Sequence, residues 1–200
     1  MALLLLAWDV DQTIIWATEA QANQSYHCPH CQQPVHLESS HRSQFVHDHP
    51  SFGPAGGRCR GERAVHAAAE HAAWRQLCTA PETVRWAYQC QHTPDPWIRS
   101  LPASIVTARR EVHIPGKRAD IGLFTAEESL WGMIEICYRH AIDATGRQCL
   151  APWPWIEITA DDVVHQRPWL IRQWGPQWPI PCAPCRSLYT VPLKTHSPSK

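Results

Sequence analysis

Lysine is nearly absent from this 200-residue chain, which holds only Lys117, Lys194 and Lys200. Net charge is absent too: 18 Lys and Arg balance 18 Asp and Glu, so no global field draws the protein to nucleic acid or to an acidic membrane. Any DNA affinity has to come from local patches. Two are present, Arg58, Arg60 and Arg63, and then Arg109, Arg110, Lys117 and Arg118, although clusters of this size are usually solvated surface. Long hydrophobic runs are missing: residues 3–6 are apolar, but Asp9 follows before the run could span a bilayer. Neither a basic n-region nor a small-residue cleavage site is seen, which argues against a signal peptide. The nine cysteines are an odd number with two Cys-x-x-Cys pairs. They fit metal binding in a reduced compartment better than a disulfide framework. The expectation is a cytoplasmic protein without a membrane span.

Tryptophan and proline are abundant instead, 11 and 18 residues, and the apolar content is enough for a real core. Residues 3–8 and 13–18 read as a hairpin around Asp9-Val10-Asp11-Gln12. From 26 to 59 the chain is rich in His, Cys, Pro, Ser and Gly, with too little apolar pattern to hold itself together without a staple. Residues 53–61 read as a loop. Abundant alanine and the lack of internal Gly or Pro predict a helix over 62–78. Its residues Val65, Ala69, Ala72 and Leu77 face a core, while Glu62, His66 and Glu70 share a neighbouring face at i, i+4, i+8. A strand at 84–90 and a Pro-broken loop to 102 precede strands at 104–114, 118–125 and 130–140. A short helix near 143–150 and a strand at 155–159 follow. Helix, three strands, helix, strand implies an α/β or α+β core with a mixed sheet flanked by helices. The expected division is a hairpin and metal-binding module over 1–60, a core over 61–165, and a Trp/Pro-rich segment over 166–200 whose tail from Lys194 is disordered.

Cys28-Pro29-His30-Cys31 is a knuckle whose two thiolates can hold one face of a tetrahedral zinc. His47, His49 and Cys59 lie downstream at workable distances, and the preferred set is Cys28, Cys31, His47 and Cys59. Cys182-Ala183-Pro184-Cys185 has the same form without a nearby partner. Cys90 and His92 complete it if the chain end returns to the core; alternatively it joins Cys28 and Cys31, or stays an exposed pair. Cys78 and Cys149 read as ordinary buried cysteines.

The other candidate centre is acidic. Asp120 opens one predicted strand and Glu135 sits in the middle of the next. A carboxylate leaving an apolar strand costs free energy unless it is paired or binds a metal, and hard divalent cations suit such oxygens. Glu111 and Glu62 can reach the same edge, giving three or four oxygens for magnesium or manganese, which would polarise a phosphodiester and ionise a water. Ion pairing, Asp120 to Arg118 or Arg110 and Glu135 to Arg139, is the plainer reading of each residue alone.

Taken in order, the motifs resemble the PD-(D/E)xK nuclease superfamily, and within it competence protein CoiA-like proteins. The residues that carry the resemblance are Cys28-Pro29-His30-Cys31, Phe45-Val46-His47, Glu62 with His66, Arg118-Ala119-Asp120, Glu135-Ile136-Cys137 and Pro154-Trp155-Ile156-Glu157, spanning 26–162. The resemblance implies a restriction-endonuclease-like mixed sheet with a small zinc-ribbon-like module. It also implies a divalent-metal-dependent nuclease or nuclease-like DNA-processing protein with structural zinc. Asp120 and Glu135 would then bind the metal, Glu111 and Glu62 would complete its shell, and Arg118 would orient a carboxylate or contact phosphate. Two departures stand out: Cys137 occupies the Lys or Gln position, and Glu70 stands where relatives often carry lysine. A thiol cannot give an oxyanion the charge of an ammonium; Lys117, Arg118, Arg139 or His140 are the substitutes within reach. The competing reading is a catalytically inactive zinc-binding scaffold that binds DNA or a protein partner. A third is a thiol redox protein using Cys182 and Cys185, which lacks the βαβ context of that motif.

Overall fold

A computed structural model describes residues 4–39, 43–49, 61–90, 92–93, 95–175, 177–180 and 182–187. The alanine-rich segment forms the longest helix, α1 (Gly61–Thr79), and buries Ala64, Val65, Ala68, Ala69, Ala73 and Leu77 along one stripe. These side chains are short, so the helix lies close to what it covers. Ala64 belongs to the core of a five-stranded sheet, whereas Ala68, Ala69 and Ala73 belong to the core of a seven-stranded one.

The first sheet holds β1 (Leu6–Trp8), β2 (Ile14–Trp16), β3 (Tyr26–His27), β4 (Pro34–Glu38) and β5 (Gln44–His47) in the order β2-β1-β3-β4-β5. The predicted hairpin is there, with Leu6 opposite Trp16. The segment from 26 onward has more structure than its composition promised. Tyr26, Val35 and Phe45 make a small core with Leu4 and Ala7, and the Tyr26 hydroxyl accepts the Gln21 amide at 2.8 Å. The predicted loop at 53–61 lies almost wholly outside the described residues, as does the tail from Lys194.

The second sheet is mixed and runs β7-β6-β12-β11-β10-β9-β8. Its far half is β8 (Thr107–Ile114), β9 (Lys117–Phe124) and β10 (Leu130–Cys137), antiparallel in sequence. The turn between β8 and β9 puts Gly116 at φ 80°, the position where a Pro-Gly turn needs a residue without a Cβ. Helix α2 (Ala144–Leu150), capped by the Asp143 carboxylate on the Gly146 amide, then crosses to β11 (Trp155–Thr159), parallel to β10. Helix α3 (Ala160–Val164) packs on α1.

Two strands correct the sequence reading. β7 (Trp97–Ser100) forms in the stretch expected to be a Pro-broken loop, paired with β6 (Arg85–Tyr88). β12 (Trp169–Trp174) forms in the segment set apart as a C-terminal appendage, and it sits between β11 and β6. A boundary at 165 would therefore cut the sheet. The tryptophans of this region are packing groups: Trp169 and Trp178 are buried, and Trp178 meets the rings of Trp86 and Trp131 edge-on at 6.0 and 5.2 Å. Gly175 admits Trp155 so closely that a Cβ there would lie 2.4 Å from its ring. Among the described residues no helix is long and apolar enough to cross a membrane.

Candidate functional site

The antiparallel register of β9 and β10 decides what faces what. Ile134 lies opposite Ile121, so one step further Asp120 and Glu135 stand abreast. There the backbone ladder gives way to a side chain: the Asp120 carboxylate accepts the Ile136 amide at 2.8 Å. On the other side of Asp120, Glu111 falls between the Arg110–Ile121 and Val112–Ala119 pairs and holds φ at 53°. A left-handed glutamate within a strand is a costly conformation that its surroundings must enforce.

Each carboxylate has a cationic neighbour. His66 of α1 brings Nε2 to 3.3 Å from Asp120, and Lys117 brings Nζ to 2.8 Å from Glu135 Oε2. The expected partners, Arg118 or Arg110 for Asp120 and Arg139 for Glu135, are engaged elsewhere. Arg118 pairs with Glu111 at 3.4 Å, Arg110 with buried Glu70 at 2.9 Å, and Arg139 with Glu62. Arg109 lies over the Phe124 ring and 3.6 Å from Glu128. The second basic patch is thus paired off residue by residue. In the first patch, Arg58 and Arg60 lie outside the described residues.

Glu135 is the least satisfied of these groups. Its Oε1 is buried and has no hydrogen-bond partner. Burial and then the charge of Asp120 push its carboxyl up to about 7, against the pull of Lys117. His66 is moved upward chiefly by its hydrogen bond to Asp120, which outweighs burial. Cys137 is moved upward by burial and by Glu157, so it stays a thiol. Among the described residues the ammonium beside Glu135 comes from Lys117 on the neighbouring strand. Glu157, expected only as part of a final strand, is buried opposite Glu135 and accepts hydrogen bonds from the Ile142 amide and Gln173. The signal was available, because Ile156-Glu157-Ile158 repeats the isolated acid of Ile134-Glu135-Ile136.

Asp120 and Ile136 line an open cleft of about 800 Å³. Glu62, His66 and Glu70 come to it along α1, as their spacing predicted, and Glu111, Arg63, Arg110, Arg118 and Arg139 add further charge to its lining. Pro29 and His30 of the first knuckle reach the same cleft. The sequence-predicted acidic residues are therefore brought together, Glu135 just behind the others. They do not, however, make a group of three or more metal-ligating atoms. Among the described residues that closeness is found in two Cys/His groups.

The first is Cys28, Cys31 and His47, whose ligand atoms lie within 4.8 Å of one another. Cys31 Sγ is 3.2 Å from His47 Nε2, and the turn is closed by the Gln32 amide on the Cys28 carbonyl. Cys59, the fourth expected ligand, lies outside the described residues. The second is Cys90, His92, Cys182 and Cys185, again within 4.8 Å. The second knuckle thus joins Cys90 and His92, not Cys28 and Cys31, and it is not an exposed pair. Both groups could hold zinc. Cys78 corrects its reading as a buried cysteine, being exposed, and Cys149 is half-buried.

The chain matches no protein-family model, no curated protein and no solved structure.

Proposed function

We propose that the protein is a nuclease-like DNA-processing protein, similar to the CoiA-like proteins, with zinc as a structural metal and a phosphodiester as the ligand of its cleft. The observation that carries this reading is the Asp120–Glu135 pair on adjacent strands, with a buried, partnerless Glu135 oxygen and a lysine at 2.8 Å. The antiparallel run β8–β9–β10 followed by α2 and a parallel β11, with α1 packed on the sheet, supports a restriction-endonuclease-like core. The strained backbone at Glu111 supports a functional edge.

An orphaned carboxylate oxygen beside a second carboxylate fits a divalent cation, which neutralises both. Asp120 and Glu135 would hold magnesium or manganese, and the bound ion would polarise the phosphodiester and lower the pKa of a water. Lys117 keeps Glu135 in place and offers a half-buried ammonium to developing negative charge. His66 is aimed by Asp120 and can carry a proton at Nε2. Arg63, Arg118 and Arg139 line the cleft where a DNA backbone would run.

Cleavage of supercoiled and single-stranded DNA with magnesium or manganese tests this, comparing wild type with Asp120→Ala and Glu135→Gln at verified zinc content. Cleavage by wild type that both substitutions abolish is the expected result. A folded, zinc-loaded wild type that cuts neither substrate would refute catalysis. It would leave the second reading, an inactive scaffold that binds DNA or a protein, which is favoured by the basic side chain already placed on each of the cleft carboxylates Glu62, Glu70, Glu111 and Asp120.

A further inference from the structure

We propose that Cys90, His92, Cys182 and Cys185 form a closed Cys3His zinc site that fastens the C-terminal end of the fold to the β6–β7 edge of the large sheet. This site is separate from the cleft and does not depend on what the cleft binds.

Cys90 and His92 follow β6, in the connection 89–96, while Cys182 precedes and Cys185 lies within α4 (Ala183–Ser187). The two halves are thus some ninety positions apart in sequence, and local chain geometry cannot account for their meeting. Three buried cysteines alone would read as small apolar groups. An imidazole turned onto them does not fit that reading. His92 Nδ1 lies 3.3 Å from Cys185 Sγ and 3.7 Å from Cys182 Sγ. In a tetrahedron with ordinary zinc–sulfur and zinc–nitrogen bonds that edge is about 3.6 Å, which the two distances bracket. All four donors are within 4.8 Å of one another, and three thiolates and one imidazole leave no open coordination place on a tetrahedral zinc.

The surroundings suit thiolates. The Thr93 hydroxyl is 3.4 Å from Cys90 Sγ, and the buried Tyr88 hydroxyl is hydrogen-bonded to Cys185. Such outer donors orient ligands and stabilise their negative charge. Soft thiolates with one imidazole select zinc over magnesium or calcium. Between β12 and Cys182 the chain inserts Trp178 and Ile180, both 1% exposed, into the main core. Zinc at this site therefore holds the far end of the segment that plugs the core.

The full-length zinc-loaded protein is alkylated under reducing conditions with and without a chelator, and labelled cysteines are mapped by mass spectrometry. The expected result is protection of Cys90, Cys182 and Cys185 that the chelator removes; labelling that the chelator leaves unchanged would overturn the site. A second measurement replaces zinc with cobalt(II) in wild type and in His92→Cys. This substitution keeps four ligands, so folding and metal count should persist while the cobalt absorption shifts to longer wavelength with the added thiolate. Identical cobalt spectra in the two proteins would also overturn it.

Discussion

Replacing Glu135 by glutamine isolates one titration in the fold. The carboxyl is 8% exposed, and its pKa rises from 4.5 to about 7 because burial and Asp120 both disfavour the anion. A folded pKa above the unfolded one means that the protonated group favours the native state. Its contribution is complete below about pH 4.5 and is lost as pH rises to about 7. Each pKa unit corresponds to about 1.4 kcal/mol, so the shift makes wild type lose about 3 kcal/mol across that window. Glutamine does not titrate, fills nearly the same volume and is neutral at every pH. The unfolding free energy of wild type minus that of Glu135→Gln should therefore fall by about 3 kcal/mol between pH 4.5 and 7. Urea unfolding at a series of pH values, with zinc held constant, measures this difference while cancelling every titration the two proteins share. Parallel stability curves would refute the reasoning. They would mean that Lys117, at 2.8 Å, neutralises the carboxylate completely.

Trp178→Ala removes a side chain that is 1% exposed and touches two other indoles; urea denaturation should show a loss of about 3–5 kcal/mol. Glu70→Ala leaves Arg110 without its carboxylate at the wall of the cleft. Because Arg110 is 32% exposed, the cost read from thermal and urea unfolding should be about 1–3 kcal/mol, below that of a fully buried pair.

Much of the core was legible because its signals are local. The alanines of α1 and the apolar runs of β9, β10 and β11 each specify an element from neighbouring residues. β12 was not legible, since Trp169–Trp174 is flanked by Pro168 and Pro176 and gains strand character only by pairing with β11 and β6, strands distant in sequence. β7 failed for the same reason, lying between Pro96 and Pro102. The acidic candidates could be named because an isolated Asp or Glu among apolar strand residues is conspicuous. Their partners could not, because the Lys117–Glu135 contact depends on how two strands twist past each other. Cys90 and His92 could be offered to the second knuckle, but spacing alone could not choose among the open sets.

The position of β12 sets an order of events for a chain emerging from the ribosome. Residues 85–100 can form the β6–β7 hairpin early, but the neighbour of β6 in the sheet is completed only at Trp174. At about 5–20 residues per second, translation of the intervening stretch of roughly 70 residues takes about 4–15 s. During that time β6 presents an unpaired edge carrying Trp86 and Tyr88, the kind of edge that recruits foreign strands. The nascent protein therefore passes through a window in which its vulnerability to aggregation is set by elongation rate, and slower translation before residue 174 would lengthen it.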